Sequence, residues 1–203
     1  MPPPSSVERA NVFLNLPFDA QHEKIYVALI AGLSALGLTP RSVLEIKPTS
    51  ARLTRLLHLI SSCEYSIHDL SRVQLSPDAP RCPRFNMPFE LGMTVAWAEV
   101  SQSNHYWIVL ESKPYRLHKS LSDLKGYDHF VHNGTVVGVF RALLDAFDKP
   151  DVSIAEMKQI YGKLRQFGAE LQTTYRLDSL FQPSAFRRLA IAAAKIKSGI
   201  RNN

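Results

Sequence analysis

Short apolar segments rich in strand-forming residues alternate with longer segments of helical periodicity along most of this chain. Five segments have the strand pattern: 11–16, 39–46, 64–70, 105–111 and a weaker one at 129–132. Four segments have the helical pattern: 22–37, 50–63, 88–101 and 134–147. Strands that alternate with helices of this length indicate βαβ units, and right-handed crossovers place helices on both faces of the sheet. The sequence therefore predicts an α/β fold built on a five-stranded parallel sheet.

The last quarter of the chain differs from the rest in charge and in pattern. Two helical stretches follow Val152, and this part contains roughly nine Lys or Arg against three Asp or Glu, which accounts for the net charge of +6. We expect a flexible N-terminal lead (1–10), an α/β domain (11–150) and a basic helical C-terminal extension (151–203). The extension can be a solvated helical face, or it can contact phosphate, an acidic partner or its own domain.

Composition favours an ordinary soluble protein. Hydrophobic residues make up 45% of the chain, no apolar stretch reaches membrane-spanning length, and the N-terminus lacks the apolar centre of a signal peptide. The two cysteines, Cys63 and Cys82, form no C-x-x-C pair and no zinc-like spacing, and Cys63 ends a helical pattern as a buried residue would. We therefore expect a cytoplasmic protein without a metal site or a membrane partner.

The predicted sheet also predicts where a ligand binds. Open parallel sheets bind ligands outside the carboxyl ends of their strands, so the loops after strands one to four should line the site. The candidate side chains in these loops are Asn15, Pro17, Phe18, Asp19, Arg41, Glu45, Asp69, Ser71, Arg72 and Glu111. Glu90 belongs to the helix after the third of these loops and is expected at the same rim.

Glu90 stands out because it interrupts the apolar run "RFNMPFELGM" (84–93). If Pro88 is the first helical residue, Glu90 lies in the first turn, where the helix dipole favours a negative charge. The alternative is functional: the helix is apolar on nearly every face and should be mostly buried, and a buried carboxylate with a raised pKa can act as acid, base or nucleophile. Position alone leaves both interpretations open.

Asp69 ends an apolar strand in "YSIHDLSR" (65–72) and also has two interpretations. It can form a turn, or it can contact a sugar hydroxyl or a base. Arg72 can pair with Asp69 or bind a phosphate, and His68 should point to the other side of the sheet as a packing residue. Glycine-rich dinucleotide and P-loop motifs and the G-x-S-x-G motif are absent.

The motif "DLS" (69–71), followed by "NMPFELGM" (86–93), resembles the nucleoside 2-deoxyribosyltransferase-like and TIR-like proteins. The resemblance covers roughly residues 11–147 and implies a flavodoxin-like sheet. It also implies cleavage of an N-glycosidic bond in a nucleoside, a nucleotide or NAD, with no further cofactor. Proteins of this layout often act in bacterial antiviral defence, where appended helices oligomerise or contact a protein partner.

The resemblance assigns roles to particular residues. Glu90 would attack C1 of the ribose or stabilise an oxocarbenium-like centre, and Asp69 would hold the base or the sugar. Asn15 and Asp19 would contact the nucleotide, and Asn86 and Met93 would shape the pocket. The segment "SDLKGYDH" (122–129) would fold over the mouth as a lid, with Asp123, Tyr127 and Asp128 reaching inward.

Two other functions remain open at the level of sequence. The same fold can serve as a non-catalytic nucleotide sensor or a protein-interaction module, because fold does not determine function. A DNA- or RNA-binding role through the basic extension is the least favoured, and it predicts a steep salt dependence.

Overall fold

The computed structural model describes residues 10–46, 51–72, 80–101 and 104–201. A five-stranded, entirely parallel sheet forms the centre, with strand order β2-β1-β3-β4-β5. The strands are β1 Asn11–Asn15, β2 Thr39–Ser42, β3 Tyr65–Asp69, β4 Tyr106–Glu111 and β5 Phe130–Val131. The α-helices are α1 Glu23–Leu36, α2 Arg52–Ser61, α3 Asn86–Ser101, α4 Leu117–Ser120, α5 Val136–Phe147, α6 Ile154–Tyr175 and α7 Pro183–Arg201. The predicted flavodoxin-like α/β fold is confirmed.

Strand order places a topological switch point between β1 and β3. From β1 the chain first moves outward to β2, then crosses back to β3 on the other side of β1 and continues to β5. The loops after β1 and β3 therefore diverge toward opposite faces of the sheet. A crevice at such a point is where open α/β sheets bind ligands.

The alternation of side chains along β1 separates two hydrophobic layers. Val12 and Leu14 pack into the core beneath α1 and α5, whereas Phe13 joins a cluster formed with α2 on the opposite face. A smaller cluster beneath α3 contains Leu70 and Val109. Alternate residues of a strand point to opposite faces, so each strand contributes to two separate layers.

The C-terminal helices belong to the same core as α1. Every residue from Ile25 to Leu36 is buried, because the sheet lies on one side of α1 and α6 and α7 cover the other. Leu164 of α6 and Phe186 of α7 are themselves buried in this cluster. Burial of each such side chain contributes about 1.5–3 kcal/mol to folding. One continuous hydrophobic cluster thus crosses the predicted boundary between residues 150 and 151.

Helix α3 differs from the sequence prediction in its start and in its burial. It begins at Asn86 rather than Pro88, and Pro88 is tolerated because the first N–H groups of a helix have no intrahelical partner. The helix is not mostly buried: Phe85, just before it, and Phe89 within it are 67% and 54% exposed. The sheet covers one side of α3 and α2 packs against another through Met93 and Trp97, while the outer side of the helix is exposed.

The second predicted strand is shorter than expected. Strand β2 ends at Ser42, and Val43–Glu45 form a 3-10 turn closed by a capping box between Ser42 and Glu45. Ser50, the first residue of the second predicted helical segment (50–63), lies outside the described residues. Among the helices of the described residues, none combines the length and apolarity needed to cross a membrane.

Candidate active site and adjoining cavity

A cavity of about 490 Å³ opens at the switch point between β1, the 3-10 turn after β2 and the start of α3. Four predicted site residues line it together with Glu90: Asn15, Pro17, Phe18 and Asn86. The other lining residues are Leu16, Val43, Arg52, Cys82, Pro83, Arg84, Phe85 and Met87. We call this space the first cavity. Its position agrees with the strand-end rule from which Asn15, Pro17 and Phe18 were predicted, whereas Asn86 was implied by the resemblance alone.

Glu90 is the one carboxylate among the described residues that line the first cavity. Its Oε2 atom is buried and has no hydrogen-bond partner among the described residues. Burial raises the pKa of Glu90 to about 7, and the Arg52 guanidinium opposes this rise only in part. Because α3 begins at Asn86, Glu90 lies beyond the first turn, so the helix dipole does not explain its position.

Asn15 fixes the start of α3 against the end of β1. Its side-chain amide donates to Met87 O and to His68 Nδ1, each at 2.8 Å. Since His68 Nδ1 accepts, its proton lies on Nε2, which donates to Ser66 Oγ at 3.0 Å. Ser66 Oγ in turn lies 3.0 Å from His105 Nε2, and His105 Nδ1 donates to Cys63 O.

This chain of hydrogen bonds lies on the face of the sheet opposite α1. It gives each ring nitrogen of His68 and His105 a hydrogen-bond partner while both histidines are neutral. Burial lowers the pKa of His68 to about 3, with a further contribution from His105, and burial also lowers the pKa of His105. His68 is fully buried. It is thus the packing residue that the sequence predicted, and through Asn15 it supports the backbone that carries Glu90.

Asp69 does not line the first cavity, which corrects the expectation that Asp69 and Glu90 share one site. Its Oδ2 accepts from His22 Nε2 at 2.8 Å and lies 3.3 Å from His132 Nε2, and its Oδ1 accepts from Ser71 N at 2.8 Å. The reason is strand alternation: Ile67 packs beneath α1, and Asp69 two residues on points the same way, whereas Glu90 lies on the other face.

The carboxylate of Asp69 therefore serves as a hydrogen-bond acceptor for the buried groups around it. Burial alone would raise its pKa, but hydrogen bonds with His132 and His22 outweigh this and hold the pKa well below its usual range. The side chain is fully buried. Its expected pairing with Arg72 is not formed either, because Arg72 Nε donates to Asp19 Oδ2 at 3.1 Å.

A second cavity, of about 330 Å³, adjoins this buried cluster at the carboxyl ends of β3, β4 and β5. Its lining consists of Gln21, His22, Lys24, Ile25, Ser71, Arg72, Ser112, Lys113, His132 and Gly134. Ser71 and Arg72, predicted as substrate contacts, lie here rather than beside Glu90. Asp19 stands between the two cavities, since it also accepts from Arg84 Nη1 at 3.2 Å, and Arg84 lines the first cavity.

Ser71, His132 and Asp69 do not form a catalytic triad. Gly134 N donates to His132 Nδ1 at 3.0 Å, so the ring proton lies on Nε2, which is 2.9 Å from Ser71 Oγ. An imidazole in this tautomer donates to the serine hydroxyl and cannot accept its proton. The arrangement holds Ser71 in place without activating it as a nucleophile.

The remaining predicted residues lie apart from Glu90. Arg41 and Glu45 pair with each other, Nε to Oε1 at 3.1 Å, at a shallow surface beside α2. Met93 packs into the cluster with Phe13 and α2 and does not line the first cavity. Glu111 is fully buried and paired with Arg116. Each of these side chains therefore pairs or packs with other residues of the protein.

The predicted lid does not reach either cavity. Asp123 is exposed in a short 3-10 turn, Ser122–Leu124, and belongs to the lining of neither. Tyr127 packs on Trp107, with ring centroids 4.7 Å apart. Trp107 is near the amino-terminal end of β4, so this segment has returned to the opposite edge of the sheet.

Five lining residues were not predicted from the sequence: Arg52 and Arg84 at the first cavity, and His22, Lys113 and His132 at the second. His132 directly follows β5, so the strand-end rule itself could have found it. Comparison with known proteins gives no match: no family model, curated protein or solved structure resembles this chain at a significant level.

Proposed function

We propose that this protein cleaves the N-glycosidic bond of a nucleoside, a nucleotide or NAD in the first cavity, with Glu90 as the reacting carboxylate. The observation that carries the proposal is the side chain of Glu90, which lines an open cavity at the β1/β3 switch point and whose Oε2 is buried without a hydrogen-bond partner among the described residues. A purely structural carboxylate would be paired or hydrated, because burying an unpartnered charge is costly. Active sites are where such groups are retained.

The chemistry follows from the charge that develops at C1 of the ribose. As the C1–N bond breaks, C1 becomes positive, and a desolvated carboxylate stabilises that charge more strongly than water does. In the covalent variant, a Glu90 carboxylate oxygen bonds to C1 while the base leaves with the electron pair of the C1–N bond. Water then attacks C1 and the bond to Glu90 breaks; the proton from water is released to solvent when nicotinamide leaves as a neutral molecule, and is taken up by the base when the base leaves as an anion.

Because Asp69 does not line the first cavity, the site favours a particular kind of leaving group. Apart from Glu90, the described lining of the first cavity offers no carboxylic acid to protonate a departing base. Nicotinamide leaves a nicotinamide nucleotide as a neutral molecule, because its ring nitrogen is positively charged beforehand. An N-ribosylpyridinium substrate such as NAD therefore fits this site better than a neutral purine nucleoside.

The test is release of free base from NAD, nicotinamide riboside, adenosine and deoxyadenosine, followed by chromatography. We expect nicotinamide from the first two and a loss of about 100-fold or more in Glu90→Gln, as for removal of a key electrostatic group. Glu99→Gln is the matched control, because Glu99 lies on the same helix and is exposed. Release that persists in Glu90→Gln would remove Glu90 from the mechanism, and binding without turnover in the wild type would favour a nucleotide sensor.

A further inference from the structure

The second cavity has the composition of an anion site, and we propose that it binds a phosphate group, either as free phosphate or as the phosphoryl group of a nucleotide. It lies at the carboxyl edge of the sheet, where the first turn of α1 and the ends of β3, β4 and β5 meet. The proposal does not depend on catalysis by Glu90, which lines the other cavity. It rests on three features of the second cavity.

The first feature is charge. Lys24, Arg72 and Lys113 line the cavity, and no carboxylate side chain is among its described lining residues. Lys24 and Lys113 have no ion-pair partner in the described part of the chain. Arg72 is paired with Asp19, so Lys24 and Lys113 are the two cations without an ion pair, and they leave a positive potential in this small space that an anion would neutralise.

The second feature is that the nearby carboxylates are already occupied. Asp69 lies behind the cavity and accepts hydrogen bonds from His22 and Ser71 N, so its charge is compensated within the fold. Glu111 is held by Arg116. Neither acid is therefore available to the lysines.

The third feature is the orientation of the Ser71 hydroxyl. His132 Nε2 carries the one ring proton, because Nδ1 of that ring accepts from Gly134 N, and this proton lies between Ser71 Oγ at 2.9 Å and Asp69 Oδ2 at 3.3 Å. The oxygen of Ser71 is thus used as an acceptor, and its own proton has no acceptor among the described residues. Ser71 is only 4% exposed, and its position at the wall leaves the cavity as the direction for this donor. A buried hydroxyl donor beside three cations is suited to a phosphate oxygen.

The cavity is large enough for this ligand. At about 330 Å³, it is at the small end of the range for small-molecule sites, which is ample for a phosphate group. Arg72, Asp19 and Arg84 form the wall in the direction of the first cavity.

The experiment is isothermal titration of the full chain with inorganic phosphate, AMP and adenosine, in the wild type and in Glu90→Gln to prevent any turnover. We expect phosphate and AMP to bind and adenosine to bind about tenfold or more weakly than AMP, since a charge-assisted hydrogen bond is worth about that factor. Tighter binding of AMP than of phosphate would identify a nucleotide as the source, and equal binding would identify free phosphate.

Two variants locate the site. Lys113→Met removes an exposed cation without disturbing the core, and Ser71→Ala removes the hydroxyl donor; each should weaken phosphate or AMP binding about five- to tenfold. Lys119→Met, an exposed lysine of α4 outside the cavity, should leave the affinity unchanged. Absence of binding at millimolar concentration, equal affinity for adenosine and AMP, or equal effects of the two lysine variants would each overturn the proposal.

Discussion

Replacing Glu90 by glutamine should change the pH dependence of stability in a direction that identifies a buried, unpartnered carboxylate. Burial raises the pKa of Glu90 in the folded protein to about 7, from an ordinary value of 4.5. Between these two values the folded state binds more protons than the unfolded state, so the wild type loses stability as the pH rises toward 7. Glutamine cannot titrate, and Glu90→Gln removes this loss.

The magnitude follows from the two pKa values. Between about pH 5.5 and about pH 8.5, linkage gives a change of about 2 kcal/mol in the stability difference between Glu90→Gln and the wild type, in favour of the variant at the higher pH. The neutral histidines His68 and His105 destabilise the fold as the pH falls below their ordinary range. Their effect is present in both proteins and cancels in the difference.

The assay is urea denaturation of the wild type, Glu90→Gln and the exposed control Glu99→Gln at both pH values, with a common slope required for all curves. The stability difference for Glu99→Gln should stay within about 0.5 kcal/mol across the same pH range. A pH-independent difference for Glu90→Gln, or one that turns against the variant at high pH, would show that Glu90 is solvated or paired. The argument for its role in the first cavity would then fail.

Three further substitutions test the interior that supports the cavities. Ser66→Ala removes the hydroxyl that links two buried histidines and should cost about 2–3 kcal/mol in urea denaturation. Gly138→Ala places a Cβ 2.0 Å from His132 O and should destabilise by about 1–3 kcal/mol, whereas Gly162→Ala, with open space around it, should stabilise by up to about 1 kcal/mol in thermal melts. Leu164→Ala should cost about 2–5 kcal/mol while circular dichroism and tryptophan fluorescence still report one transition; separate melting of the C-terminal helices would contradict a shared core.

The sequence pattern of α1 predicts how the helix is buried as well as that it is a helix. An amphipathic helix of a two-faced α/β sheet needs one apolar stripe, but "IYVALIAGLSAL" (25–36) is apolar all round. Such a helix is covered on every side, and α6 and α7 supply the cover. The two observations lie more than a hundred residues apart in the chain, and periodicity within each segment does not show that the segments pack together.

The two acidic side chains, Glu90 and Asp69, show what the strand-end rule does not predict. The rule brings every strand end to one edge of the sheet, and it correctly placed Asn15 beside Glu90. The rule does not say on which face of the sheet a side chain lies. Strand alternation does: Asp69 lies two residues after Ile67 and therefore shares its face, which α1 covers. The face on which each side chain lies thus distinguishes Glu90, a titrating carboxylate at an open cavity, from Asp69, a carboxylate held by histidines. Under the proposed function, Glu90 is then the one carboxylate among the described lining residues of the first cavity, and the leaving group must depart without help from a second acid.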